Sequence, residues 1–234
     1  MIKRKRLGQH FLNSKSIASK IVSEAKIGPN DIVYEIGTGL GILTPLLCPK
    51  AKKVISVEAD KGLFDEAKKK FSKISNLSLK FGDGFKTKIN FTIFVSNLPY
   101  SKSKEAIEFL ASTPFLHGVI MVQKEFAEKI LGVKEQRSIE IIADYCFEIQ
   151  KLFKVRNENF TPPPKIDSVV LKIEKRNNLD KDLIKIINKI FSYKRKKISN
   201  ILKQFGIEDS SDQRLEDLST EEIVNLAKKI HGKR

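Results

Sequence analysis

"YEIGTGLGILT", residues 34–44, decides how the rest of this chain is read. It ends the apolar run "DIVYEIG" (31–37) and leads into the helical pattern "GILTPLLCP" (41–49). Gly37, Gly39 and Gly41 allow a sharp turn and a close backbone approach to a ligand, where a Cβ would intrude. The spacing is Gly-x-Gly-x-Gly, with Ile42 where a dinucleotide fingerprint needs its third glycine. No Gly-Lys-Ser/Thr of a triphosphate loop follows, so a pyrophosphate is not the group this turn is built around. Glu35, at the strand end, would repel a phosphate but pair with an ammonium. That chemistry suits the methionine part of S-adenosylmethionine.

Working outward, "KVISVEAD" (53–60), "LSLKFGD" (77–83), "FTIFVSN" (91–97) and "GVIMVQ" (118–123) read as further short strands. Helical patterns fall between them in "KGLFDEAKKKFSK" and "SKEAIEFLAST". Strands alternating with helices predict a parallel sheet covered on both faces. Upstream, Ile17, Ile21, Val22 and Ala25 predict a helix over 14–26 capped by Ser14 or Ser16. Downstream, residues 137–155 and 167–175 read as a helix and antiparallel strands that close the sheet. Beyond "KRNN" (175–178) the pattern is helical only, carried by Leu183, Ile187, Ile190, Ile198, Ile201, Leu202 and Phe205. Ser219 and Glu222 stand at capping-box spacing. A domain over 1–176 and a small helical one over 177–234 are expected.

The strand ends carry acids. Glu58 lies about twenty residues past the first glycine, where a carboxylate accepts from ribose hydroxyls. Asp83, in "GDGF", is placed to accept from an adenine amino group. The next strand ends in Asn97-Leu98-Pro99-Tyr100. An exocyclic amine on a base is a poor nucleophile because its lone pair is delocalised into the ring. Two acceptors on its N–H groups favour the localised, attacking form. The Asn97 side-chain oxygen and the Leu98 carbonyl are those acceptors. Pro99 holds Leu98 extended and supplies no N–H. Tyr100 offers a face for a flipped-out base.

Charge agrees with a nucleic-acid partner. The net charge is +16 over 234 residues, although lysines spread along the chain also fit a merely solvated surface. Lys194, Arg195, Lys196 and Lys197 interrupt an apolar helical spacing and are candidates for phosphate contact, as are Lys3, Arg4, Lys5 and Arg6 at the start. Two distant cysteines and three dispersed histidines suggest neither a disulfide framework nor a metal. No apolar stretch reaches membrane-span length, and the start lacks the apolar segment of a signal peptide. A cytoplasmic monomer is expected.

"LGQHFL" (7–12), "EIGTGLGILT", "VEAD", "GD", "NLPY" and "NFTPPPKIDSVVLKI" (159–173), in that order, resemble the small-subunit ribosomal RNA adenine dimethyltransferases, the KsgA-like enzymes. The resemblance runs over roughly residues 4 to 205. It implies a Rossmann-like class I methyltransferase sheet with helices on both faces and a small C-terminal helical domain. It also implies S-adenosyl-L-methionine as donor and N6,N6-dimethylation of adjacent adenosines near the 3′ end of small-subunit rRNA, within a pre-ribosomal particle. By motif match, Gln9 and Phe11 lie near the methionine end, Asp83 and Gly84 hold the adenine, and Phe160 flanks the target base. The segment "SKSKEAI" after Tyr100 departs from the usual Ile-Ser-Ser/Thr-Pro-like start, with Ser103 as the expected helix cap. The stretch "LGVKEQRSIEI" is shorter than usual. Two other readings stay open at this point: a large-subunit rRNA adenine methyltransferase of the antibiotic-resistance type, and a non-catalytic ribosome-assembly or transcription factor on the same fold.

Overall fold

The computed structural model describes residues 10–132 and 137–233. Gln9, Lys3, Arg4, Lys5 and Arg6 lie outside them, as does part of the shortened stretch after Gly132. Contacts divide the described chain into two compact units. One holds the residues up to Ala106 with Pro114–Ala127 and Ile149–Lys175; the other holds Ile107–Thr113, Glu128–Glu148 and those from Arg176 on. The expected boundary near 176 thus coincides with one of several points where the chain passes between units.

In the first unit, β1 (Phe11–Leu12) precedes α1 (Lys15–Glu24), which Ser14 caps by accepting from the Ile17 N–H (3.4 Å). The sheet strands follow as β2 (Ile32–Ile36), β3 (Lys53–Glu58), β4 (Leu77–Phe81), β5 (Ile93–Asn97) and β6 (His117–Gln123). Between them run α2 (Thr44–Leu47), α3 (Lys61–Lys70) and the start of α4 (Ser103–Ala111). The helix expected after the glycine turn is only one turn long, because Pro45 sits at its first turn and Pro49 follows directly. Asp60 caps α3 through the Leu63 N–H (3.0 Å). After α5 (Lys124–Ile130) and α6 (Ser138–Cys146) come β7 (Phe147–Val155), β8 (Phe160–Thr161) and β9 (Ser168–Lys175).

The seven-stranded sheet has the order β4-β3-β2-β5-β6-β9-β7, parallel from β4 to β6, with β9 antiparallel to β6. Its inner strands β2, β3, β5 and β6 are buried on both faces, as parallel strands sandwiched between helices must be. One face carries Val33, Val54, Ile93, Val95 and Val119 in a cluster with Ile21, Val22, Leu43 and Leu47. The other carries an aromatic set in which Tyr34, Phe91 and Phe94 pack at centroid distances of 5.0–6.1 Å. The chain winds from β2 outward through β3 to β4, then returns to β5 on the other side. The order therefore reverses between β2 and β5.

The second unit is helical. Asp180 caps α7 (Lys181–Phe191) by accepting from the Asp182 and Leu183 N–H groups. Leu183, Ile184, Ile187 and Ile190 are buried. The expected capping box is present at α9 (Thr220–His231), where Ser219 and Glu222 bond reciprocally. The run from 179 to 205 is not one helix, however. It stops at Phe191 and restarts as α8 (Ile198–Lys203). Lys197 turns extended and bridges Arg214, while the Ile198 N–H donates to the Gln213 carbonyl (2.8 Å). Four consecutive cations cannot all find solvent on a helix that also buries Ile190 and Ile198, and a break between them lets both demands be met.

Candidate active site

Ligands of open parallel sheets sit beyond the carboxyl ends of the strands, where strand order reverses. Here the glycine turn after β2 and the Asn97–Tyr100 segment after β5 flank that point. Gly37, Gly39 and Gly41 have φ of +85°, +56° and +71°, in the region that side chains with a Cβ avoid. The Gly39 N–H donates to Glu58 Oε2 (2.8 Å), and the Asp60 N–H donates to Glu58 Oε1 (2.9 Å). One carboxylate, 5% exposed, thus fastens the turn after β2 to the end of β3.

Two adjoining cavities open at this edge, and Gly37, Glu58 and Pro99 line both. The first is walled by His10, Phe11, Glu35, Gly39 and Asn97. The second, of about 330 Å³, is walled by Asp83, Gly84, Phe85 and Lys102. A Cβ placed on Gly37 would meet no protein atom within 4 Å and would project into open space. Gly41 lines neither cavity; a Cβ there would lie 2.4 Å from the Phe71 ring, so its part is to let the turn pack.

Glu35 is almost wholly buried. Its Oε2 accepts from Thr44 Oγ1 (2.8 Å) and Ser56 Oγ (2.6 Å), and Thr38 Oγ1 lies 2.6 Å from the same serine hydroxyl. Burial pushes its pKa up to about 7, the Ser56 and Thr44 hydroxyls pull it back, and nearby Glu58 raises it. These hydroxyls were not foreseen; in the sequence they read as ordinary turn and strand residues. Asp83 accepts the Phe85 N–H (3.0 Å) and pairs with Lys86 (3.3 Å). Gly84 leaves no room for a Cβ, which would meet Ile36 at 2.8 Å, and its carbonyl accepts from Tyr34 Oη (2.7 Å).

On the other flank, Asn97 ends β5 beside Met121 of β6 and faces the first cavity. Its side-chain amide has no hydrogen-bond partner among the described residues. Leu98 is buried, which leaves only its backbone to serve a ligand. Pro99 is extended (φ −54°, ψ 133°) and opens a short 3-10 turn, Tyr100–Lys102. Tyr100 Oη bonds Ser168 Oγ of β9 (2.8 Å), and burial raises its pKa. Ser103, expected to cap α4, is instead its first residue, and its hydroxyl donates to the Tyr100 carbonyl (3.0 Å) rather than accepting from a helix N–H. His10, which the sequence reading passed over between Gln9 and Phe11, stacks on Tyr100.

Phe160 does not offer an open ring. It is 2% exposed, pairs with Leu12 across the β1–β8 ladder and belongs to the apolar core. In the second unit Lys194, Arg195, Lys196 and Lys197 are all exposed. Lys197 pairs with Asp212 (2.7 Å), and Lys196 lies over the Tyr193 ring. Among the described residues no group of His, Cys, Asp or Glu is arranged to hold a metal, and no helix is long and apolar enough to cross a membrane.

A family model described as ribosomal RNA adenine dimethylase matches residues 2–231. The ribosomal RNA small subunit methyltransferase A of Thermotoga neapolitana is 38% identical over 236 residues, covering 95% of this chain and 90% of that one. The crystal structure of a dimethyladenosine transferase from Plasmodium falciparum superposes with a TM-score of 0.77 at 28% identity, covering 96% of this chain and 98% of that chain. The 23S rRNA methyltransferase ErmE shares the fold, with a TM-score of 0.69 at 21% identity over 94% of this chain and 99% of its own. With a Rossmann-like sheet, acids at successive strand ends and an Asn-Leu-Pro-Tyr segment beside them, the chain belongs to the ribosomal RNA adenine dimethylase family.

Proposed function

We propose that this chain transfers methyl groups from S-adenosyl-L-methionine to N6 of adjacent adenosines near the 3′ end of small-subunit rRNA, giving N6,N6-dimethyladenosine during ribosome biogenesis. The observation that carries this reading is the Asn97 amide, without a hydrogen-bond partner among the described residues and facing a cavity that Glu35 and Glu58 also line. The residues fit the donor. Glu35 offers a carboxylate to an ammonium, Glu58 keeps lone pairs for ribose hydroxyls beside its two backbone bonds, and Asp83 accepts from an adenine amine. The open space over Gly37 gives a ligand backbone contact that a side chain would deny.

When bound, S-adenosylmethionine supplies an electrophilic methyl group on a sulfonium. Asn97 Oδ1 and the Leu98 carbonyl accept the two N–H groups of the target amine, which localises its lone pair. Tyr100 holds the plane of the base. No strongly basic side chain is required, because the methylated amine is acidic enough to lose its proton to water. A monomethylated amine still presents one N–H to these acceptors and can turn for a second transfer. A dimethylated amine presents none and leaves. The exposed Lys194–Lys197 run supports contact with rRNA phosphates, and the reading extends to a monomeric cytoplasmic enzyme acting on a pre-ribosomal small-subunit particle.

Labelled-methyl transfer to small-subunit particles, large-subunit particles, naked rRNA and DNA, followed by nucleoside analysis, tests the proposal. Label recovered as N6,N6-dimethyladenosine from small-subunit particles is expected. Label confined to large-subunit rRNA or DNA, or monomethyladenosine dominant with donor in excess, refutes it.

A further inference from the structure

Tyr100 is fixed at one end and covered on one face. Its hydroxyl bonds Ser168, and the His10 imidazole lies against its ring with centroids 5.5 Å apart and planes inclined by 26°. The imidazole is tethered in turn, with Nδ1 2.7 Å from the Pro162 carbonyl oxygen. A carbonyl oxygen only accepts, so Nδ1 carries the hydrogen and donates it. From residue 11 onward the backbone is strapped down: Phe11 pairs with Thr161, Leu12 with Phe160, and the Asn13 N–H donates to the Asn159 carbonyl (2.9 Å). His10 stands just outside that ladder. Among the described residues its ring is held by one exposed hydrogen bond and one stack, both of which water or a competing ring can replace.

We propose that His10 is a stand-in for the target base: its imidazole occupies the face of Tyr100 on which the adenine stacks, and the incoming base displaces it and breaks its bond to Pro162. This inference rests on the reading of Asn97–Tyr100 as the acceptor seat. The chemistry matches, because an imidazole is the five-membered half of a purine and presents the same kind of flat π-face to a phenol ring. The cover also discriminates. A purine regains more stacking area than it displaces, whereas a pyrimidine, with a single ring, exchanges one small stack for another. His10 is thus a specificity-determining residue that acts before the amine is gripped.

The chain has three histidines, so the His10 ring signals are assignable by NMR from a His10→Asn variant. In the free protein they should be shifted upfield by the Tyr100 ring, and Tyr100→Leu should return them to the position of a solvated histidine. An oligoribonucleotide with two adjacent unpaired adenosines is then added to the full chain with S-adenosylhomocysteine, saturation being followed by anisotropy of a labelled strand. Loss of the upfield shift at saturation is expected. A shift that persists at saturation overturns the proposal, since the base would then use the other face and His10 would be a fixed backing ring. In steady-state kinetics His10→Ala should lower KM for small-subunit particles about three- to tenfold, the equilibrium worth of one aromatic stack. His10→Phe, which stacks without the tether, should fall between. An unchanged or raised KM also overturns it. Absence of dimethyladenosine from the unsubstituted chain would sink the functional reading; a persistent shift in an active enzyme sinks this inference only.

Discussion

The two flanks of the strand-order reversal are built on opposite plans. On the β2–β3 side every acid is already engaged: Glu58 holds two backbone N–H groups, Glu35 two hydroxyls, and Asp83 one N–H and a lysine. On the β5 side the Asn97 amide is unclaimed among the described residues, and the ring that stacks on Tyr100 is lightly held. A site that binds the same small molecule every cycle gains from preorganisation, because no reorganisation accompanies binding. A site that must admit a base pulled from RNA needs groups free to change partners. On the proposed reading, the flank that would hold the donor is a finished mould and the flank that would seat the base an open hand.

The largest test of this contrast is Asn97→Ala. Methyl transfer should fall by about 10²–10³ in kcat, as for removal of one transition-state hydrogen-bonding group. Donor affinity measured by calorimetry should stay within about twofold. A loss of donor affinity as large as that of Glu58→Ala would place Asn97 on the wrong flank. Glu58→Ala comes next. It strips two backbone N–H groups of their acceptor and should weaken donor binding about 10- to 100-fold, on the scale of one charge-assisted hydrogen bond. Unchanged donor affinity would show that the turn keeps its shape without the carboxylate.

Neutralising Lys194, Arg195, Lys196 and Lys197 together should weaken RNA binding about tenfold near 0.1 M salt. It should also flatten the slope of log K against log salt by about 0.7–0.9 for each phosphate that is no longer neutralised. Donor affinity on the first unit should not change. An unaltered slope would return these residues to plain solvated surface.

The last test is read on stability and pH rather than on a lost contact, and it comes from Glu35. Its pKa in the fold, about 7, lies above the ordinary 4.5, so between those values the folded chain keeps a proton that the unfolded chain has released. Stability therefore falls as pH rises through that window and levels off above it, by about 3 kcal/mol at most. Glu35→Gln should flatten the curve of Tm against pH between 5 and 7. Binding of the donor ammonium should release this proton, so donor affinity should drop as pH falls below about 7, and the Gln variant should lose that dependence.

Much of the donor flank was legible because its signals are local. Alternating strands and helices, three glycines and acids at successive strand ends can be read along the chain without knowing what touches what. The same holds for the caps at Ser14 and Ser219. What escaped depends on partners distant in sequence. Phe160 sits beside three prolines and looks exposed until Leu12 is laid against it. The Thr38, Thr44 and Ser56 hydroxyls have meaning only once Glu35 is buried among them. The break at Ser192–Lys197 was hidden because isoleucines resume at helical spacing beyond it, and the bridge of Lys197 to Arg214 that accompanies the break joins residues distant in sequence. His10 was missed for the same reason, since its neighbours Tyr100 and Pro162 are far along the chain.

The position of β9 has a consequence for the order in which the molecule is made. As the last strand of the sheet in sequence, it lies inside it, next to β6, and its first residue anchors the Tyr100 hydroxyl. A nascent chain can complete the glycine turn and its acids from its first hundred or so residues, since domains fold from the N-terminus during synthesis. The edge of β6 then stays unpaired, and Tyr100 unanchored, until Ser168–Lys175 has left the ribosome. The glycine turn and its acids can therefore come together early in translation, whereas the Tyr100 anchor, and the β8 strand that holds Phe11 against the first cavity, arrive only late.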